Sequence, residues 1–205
     1  PSRGLGDVYK RQVLDVTSAS AAAGTNVQTY TFNQSTAQKW TLLETEKTLY
    51  SIMGKTNVSV SQMVKFYKNK ATVSYPYSNV SEAPTIEKFC QIYKEESEVE
   101  GVKAEVAFAQ AMMETGFLKF GGDVKKDQYN FAGIGAIGGG SSGAKFDSIR
   151  IGIRAHVQHL KAYASKEALK QPVVDPRFQY VKRGSAEYVQ WLGQKAVSYT
   201  HLRAH

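Results

Sequence analysis

Residues 106–134, VAFAQAMMETGFLKFGGDVKKDQYNFAGI, decide how the chain is read. The run opens as helix, and Gln110 and Glu114, four apart, share one face of it. Val106, Ala109 and Met113 mark an adjacent apolar stripe that is expected to pack inward. Gly116 is a helix-stopping signal, so Glu114 falls in the last turn, where the macrodipole is negative. With Met112, Met113, Phe117 and Phe120 expected to shield it partly from water, the neutral carboxylic acid is favoured over the carboxylate. That is the state a general acid for glycoside cleavage requires. The alternative at this point is a solvated surface glutamate.

Working outward, residues 85–100 carry helical periodicity closed by Gly101, and 103–115 form the helix that bears Glu114. Residues 129–146 are a non-helical middle with a glycine-rich loop at 138–143; no phosphate-loop lysine follows it, so a nucleotide site is not expected. Helical periodicity resumes at Ile153, Val157, Leu160 and Ala164, and again at Tyr188, Val189 and Leu192 after a Ser185 cap. Upstream, residues 44–83 read as a linker and N-terminal extension punctuated by Pro76 and Pro84. Within it an amphipathic stretch at 61–70 offers Met63, Val64, Phe66 and Tyr67 for docking on a neighbour.

A helix-terminal Glu114 followed by Asn130-Phe131-Ala132-Gly133-Ile134 resembles the cell-wall endo-beta-N-acetylglucosaminidases of glycoside hydrolase family 73. The resemblance runs over residues 51–196 and is strongest at 102–164. It implies an α+β, mainly α, lysozyme-like glucosaminidase domain at 84–196, in which a small glycine-rich β insert closes a saccharide groove. Glu114 matches the general acid, Asn130 to Ile134 the Asn-x-x-Gly-Ile turn, Asp175-Pro176 the late Asp-Pro, and Phe146 an aromatic before the third long helix. Gln110, Tyr129, Asn130, Phe131, Gly133 and Phe146 are then the expected substrate-binding residues, with Phe131 as groove wall. Two departures stand out: Pro172 occupies the place of a common tyrosine, and the insert offers no glutamate as second carboxylate.

Asp123, Asp127 and Asp147 are the candidates for that second group. An inverting enzyme needs a base about 6.5–9.5 Å from the acid and a retaining one a nucleophile at about 5–5.5 Å. Asp147, at the end of the insert, is preferred to Asp123 as the second catalytic residue. A third route uses the substrate's own 2-acetamido group and needs neither.

Residues 13–43 alternate in short strand-like runs and end in Gln38-Lys39-Trp40. This pattern resembles one repeat of a ricin-type β-trefoil lectin, with Asp15, Gln28, Tyr30 and Gln38 at the spacings of sugar-binding residues. It is an incomplete trefoil, since a lone repeat lacks the copies against which its apolar face is buried. Ala37 stands where an asparagine usually precedes the glutamine, so Gln38 and Trp40 also read as turn and core residues.

Residues 1–12 and 197–205 resemble translated sequencing-adapter tails and are set apart from the fold. They carry three of the +8 formal charges, through Arg3, Lys10, Arg11 and Arg203 against Asp7, leaving about +5 on the rest. That excess suits anionic cell-wall polymers as partners beside peptidoglycan glycan strands. No basic helix or nucleotide-binding motif supports a nucleic-acid partner. Lys125-Lys126 and Arg150/Arg154 are local clusters that serve equally as solvated faces.

Cys90 lies at an apolar helix position and reads as a small buried hydrophobe. His156 and His159, three apart, read as surface or capping histidines; no metal and no cofactor are expected. No membrane-spanning run is present. The resulting expectation is a secreted or wall-associated peptidoglycan hydrolase acting after N-acetylglucosamine. Its rivals are a muramidase or lytic transglycosylase of the same fold, and a non-catalytic wall-binding module.

Overall fold

A computed structural model describes residues 12–20, 22, 25–38, 48–136, 139–140 and 142–192. The chain divides into two compact units, Pro1–Lys47 and Thr48–His205. Trp40, most of the two expected tails, and residues 137, 138 and 141 of the glycine-rich loop lie outside the described residues.

In the first unit, β1 (Gln12–Val16) and β2 (Val27–Thr31) form an antiparallel hairpin with Asp15 opposite Gln28. Gln12 pairs with Thr31, so it belongs to the hairpin and not to a tail. Asp15 is buried, and its carboxylate accepts hydrogen bonds from Gln38 Nε2 at 3.1 Å and Gln28 Nε2 at 3.5 Å. Gln38 also donates to Thr31 O and accepts from Asn33 N, both at 2.9 Å, so one side chain ties the turn after β2 back to the hairpin. Ala37 is buried and Tyr30 exposed.

The second unit is mainly α. Four α-helices lie among its described residues: α1 (Val60–Lys70), α2 (Ile86–Glu100), α3 (Ala104–Glu114) and α4 (Ile149–Ala164). Three of the four starts are written in the sequence as side-chain caps, and α3 starts at Lys103 without one. Ser59 and Gln62 form a capping box on α1, while Thr85 and Ser148 cap α2 and α4. Gly101 ends α2 at φ 73°, a left-handed conformation that favours glycine.

Helix α2 is the centre, packing against α1, α3 and α4. Its Phe89 and Tyr93 meet Tyr77 and Phe131 in a cluster of edge-on and stacked rings. Cys90 is buried beside them, its thiol pushed up to about 12 by that burial.

The segment 48–83 differs from the expected linker. Ile52, Met63, Val64, Tyr67 and Tyr77 are buried in the same core as α2 and α3, so the compact unit begins at Thr48 and not near 84. Its amphipathic helix buries Met63, Val64 and Tyr67 against that core. Phe66 is the exception on that face, 40% exposed at the rim against Phe108 and Phe117.

Residues 188–192 form a 3-10 turn at Val189–Trp191, and the rest of the expected helix lies outside the described residues. The backbone explains the turn. Ala186 N donates to Tyr163 O and Val189 N to Tyr50 O, so these N–H groups are committed to neighbouring segments. Ile52 N donates to Glu187 O in return, and Lys103 N to Ile52 O, so residues 50–54 lie between 101–103 and 187–189.

Acidic residues of α2 hold α4. Glu96 accepts from Arg150, Arg154 and Gln171, and Glu82 caps α4 through Ser148 Oγ and Arg150 N. Arg150 and Arg154 are therefore ion-paired rather than a solvated face. Deeper still, Lys161 and Glu100 pair at 3.0 Å with both side chains fully buried. Glu100 further accepts the backbone N–H groups of Lys170 and Gln171.

Candidate active site at the end of the third helix

Helix α3 buries Ala104, Ala107, Phe108, Ala111 and Met112. The inward face is thus rotated from the expected Val106, Ala109, Met113 stripe: Val106 is buried, Ala109 half-buried, and Met113 78% exposed. On this face the small Ala104, Ala107 and Ala111 alternate with the large Phe108 and Met112. Glu114, the last helical residue, is exposed. Met112 turns into the core and Met113 out to solvent, so the apolar shield expected around the carboxylate is not built by these side chains.

After Glu114 the chain reverses its hand. Gly116, Phe117, Leu118 and Phe120 take φ values of 58°, 56°, 62° and 53°. Three of them carry side chains, and each such residue costs about 1–2 kcal/mol in this conformation. Burial of Leu118 and packing of Phe117 and Phe120 on the core offset that cost. Thr115 joins helix to turn: its hydroxyl donates to Ala111 O at 2.6 Å and accepts from Leu118 N at 3.0 Å.

The insert that follows contains no strand among its described residues, and two side-chain amides organise it instead. Gln128 donates to Ser142 O and Ala144 O and accepts from Lys125 N. Asn130 donates to Ile134 O and Ala144 O and accepts from Ile134 N at 2.9 Å. Gly133, at φ 62°, gives the turn between them its left-handed step.

These bonds correct part of the expected substrate list. Asn130 is buried with its polar atoms spent on Ile134 and Ala144, so it shapes the loop. Phe131 is core, against Phe89 and Tyr93, and not a groove wall. Phe146 is buried with Ile134 and Ala155 in a small second cluster. Tyr129, at φ 50°, is half-buried with its ring 5.8 Å from that of Tyr77.

Of the aspartates, Asp127 is exposed and paired with Lys145 at 3.7 Å, while Asp123 is half-buried. Asp147 is exposed immediately before the Ser148 cap of α4. Asp175 is buried, accepting from Arg177 N and meeting His159 Nδ1 at 2.8 Å. A pocket of about 230 Å³ opens between α1 and α3, lined by Val58, Gln62, Met63, Phe66, Glu105, Phe108 and Ala109. At 100° per residue, Glu105 and Ala109 lie on the flank of α3 opposite Gln110 and Glu114, so this apolar pocket is apart from the acid.

One polar group departs from its sequence reading. His156 is buried, not a surface or capping residue. Its Nδ1 lies 3.1 Å from the Tyr93 hydroxyl and its Nε2 3.1 Å from Gln110 Oε1. Burial, with His159 nearby, pushes its pKa down to about 3. The available signal was its place in the apolar series Ile149, Ile153, His156, Leu160. Among the described residues no group of three His, Cys, Asp or Glu side chains is disposed to hold a metal ion, and no helix is long and apolar enough to cross a membrane.

Residues 90–201 match the family model described as mannosyl-glycoprotein endo-beta-N-acetylglucosaminidase, and residues 7–73 match that of the ricin-type beta-trefoil lectin domain-like family. An uncharacterized protein of Borreliella burgdorferi is 55% identical over 94 residues, 46% of this chain and 46% of that protein's length. No solved structure matches. The first match takes in α3 with Glu114, the Asn130 turn, α4 and Asp175, more than half of the sequence, and on that ground the chain belongs to the glucosaminidase family.

Proposed function

We propose that the helical unit hydrolyses the β-1,4 bond after N-acetylglucosamine in peptidoglycan, with Glu114 as general acid. The observation that carries this reading is the exposed Glu114 at the end of a helix whose adjoining face is buried, within the residues matched by the glucosaminidase family. The core holds the helix and the left-handed turn ends it, and in this reading the exposed Glu114 carboxyl group donates its proton to a sugar bridging oxygen. Protonation of that oxygen lets the glycosidic bond break through an oxocarbenium-like transition state.

Asp147 is our first choice for the second carboxylate and Asp123 the second; substrate-assisted attack by the 2-acetamido group is the route if neither acts. The basic excess supports wall polymers as a further partner, and action at the wall requires a secreted protein.

Digestion of purified peptidoglycan, followed by mass spectrometry of the released reducing ends, tests the reading. N-acetylglucosamine ends are expected. Muramic or anhydromuramic ends would transfer the unit to the muramidase or transglycosylase class, and absence of any release would leave a binding module.

A further inference from the structure

Tyr93 is fully buried, and its hydroxyl must place a proton on an acceptor. Among the described residues the acceptor it meets is His156 Nδ1 at 3.1 Å. An imidazole that accepts at Nδ1 and is neutral carries its own proton on Nε2. Burial, which holds the pKa near 3, keeps this ring neutral at ordinary pH. Nε2–H therefore donates to Gln110, which faces it with Oε1 at 3.1 Å. Reversing the amide would reverse the ring and leave the phenol proton buried without an acceptor.

The direction of the relay leaves the other end of the amide outward. Gln110 is partly exposed, and its Nε2 makes no hydrogen bond among the described residues and is not buried. It lies one helical turn before Glu114 on the same face of α3. A side-chain amide in solution turns either face to a ligand; this one cannot without breaking two buried bonds.

We infer that Tyr93 and His156 are positioning residues that lock Gln110 as a hydrogen-bond donor beside Glu114, for an oxygen of an N-acetylated sugar. The inference rests on the proposed glucosaminidase reading of this face and gives it a polarity: the site takes an acceptor here, an acetamido carbonyl or a hydroxyl oxygen, and rejects a donor. Tyr93 and His156 touch no substrate and act through Gln110.

The test combines spectroscopy with kinetics. In the whole protein, nitrogen NMR of His156 should show a neutral ring with its proton on Nε2, and titration with a soluble N-acetylglucosamine tetramer should shift the Gln110 side-chain amide protons. Tyr93→Phe should raise KM for peptidoglycan about tenfold, the loss of one hydrogen bond, with kcat and its pH profile little changed. In a Gln110→Glu background, which already lacks the donors, Tyr93→Phe should add nothing to KM. A ring protonated on Nδ1, amide protons indifferent to the tetramer, or an equal Tyr93→Phe effect in both backgrounds would overturn the inference. If Tyr93→Phe folds poorly, the tautomer and the titration decide it on the unaltered protein. A protein that binds the tetramer through Gln110 yet cleaves no peptidoglycan would sink the hydrolase reading and leave the relay standing.

Discussion

The α-carbon of Gly152 on α4 lies directly beneath the carbonyl of Tyr129: a Cβ added there would sit 1.8 Å from Tyr129 O. The contact seats the Asn130 turn on α4, and only glycine leaves room for it. Alanine is the better helix former by about 1 kcal/mol, so propensity alone predicts a more stable Gly152→Ala protein. Backbone overlap of this size should reverse the sign and cost about 1–3 kcal/mol or more, because the whole turn must move. Urea denaturation of the two proteins checks the direction.

Glu114→Gln should keep the melting temperature and lose at least about a hundredfold in peptidoglycan hydrolysis, because the amide preserves shape and lacks a transferable proton. Measured turnover near the parent value would end the general-acid assignment. Asp147→Asn should also inactivate and regain activity with added azide if Asp147 is the second carboxylate, while Asp123→Asn should not.

Lys161→Met should destabilise the helical unit by about 3–5 kcal/mol, since it strands the buried Glu100 carboxylate without its cation. The backbone N–H groups of Lys170 and Gln171 soften this but do not neutralise the charge. Adding Glu100→Gln to that variant should recover part of the loss. Chemical denaturation of both variants provides the comparison.

The buried imidazole of His156 holds a proton far less well than an unfolded one, about 3 against an ordinary 6.5. The unfolded chain therefore binds the extra proton first as pH falls. Its stabilising contribution is complete above the unfolded value and is lost between about 6.5 and about 3, at about 1.4 kcal/mol per pH unit. Glu95 and Glu96 join at lower pH. Glu95 is held down by hydrogen bonds from Gln91 and Arg150; for Glu96, burial raises the pKa but the bonds from Arg154, Arg150 and Gln171 outweigh it. Stability measured near pH 7 and near pH 5 should differ in the parent and much less in His156→Gln.

An isolated hairpin unit should bind galactosides weakly, because Asp15 is already engaged by Gln28 and Gln38. Calorimetry with a simple galactoside on residues 1–47 would measure it, and micromolar affinity would contradict the expectation.

Local signals carried much of this fold into the sequence. Thr85, Gly101 and Gly116 each act on the backbone within one turn, so the bounds of α2 and α3 could be read from them. The inward face of α3 could not be, because alanines bury little area and count weakly as apolar, while Met113 counts strongly and faces water. Residues 48–83 looked like a linker since their polar composition hides that Met63, Tyr67 and Tyr77 converge on α2, a non-local fact. Asn130 illustrates the limit for the site. Its position in the turn was legible, but whether its amide meets a sugar or Ile134 depends on a loop closure that no spacing reveals. The Tyr93 to Gln110 relay links three helices and had no one-dimensional trace.

The pairing of residues 50–54 with 187–189 governs how this unit can come into being during synthesis. Tyr50 N meets Gln190 across 140 residues of chain, so the early segment leaves the ribosome long before its partner exists. Until then Ile52 N–H and Tyr50 O have an open side, and the nascent chain is a target for chaperones and proteases. The clasp also warns against cutting the gene at the limits of the glucosaminidase match: a fragment starting at residue 90 would omit α1, Ile52 and the inner segment of the clasp, and should emerge as an aggregate and not as a small enzyme.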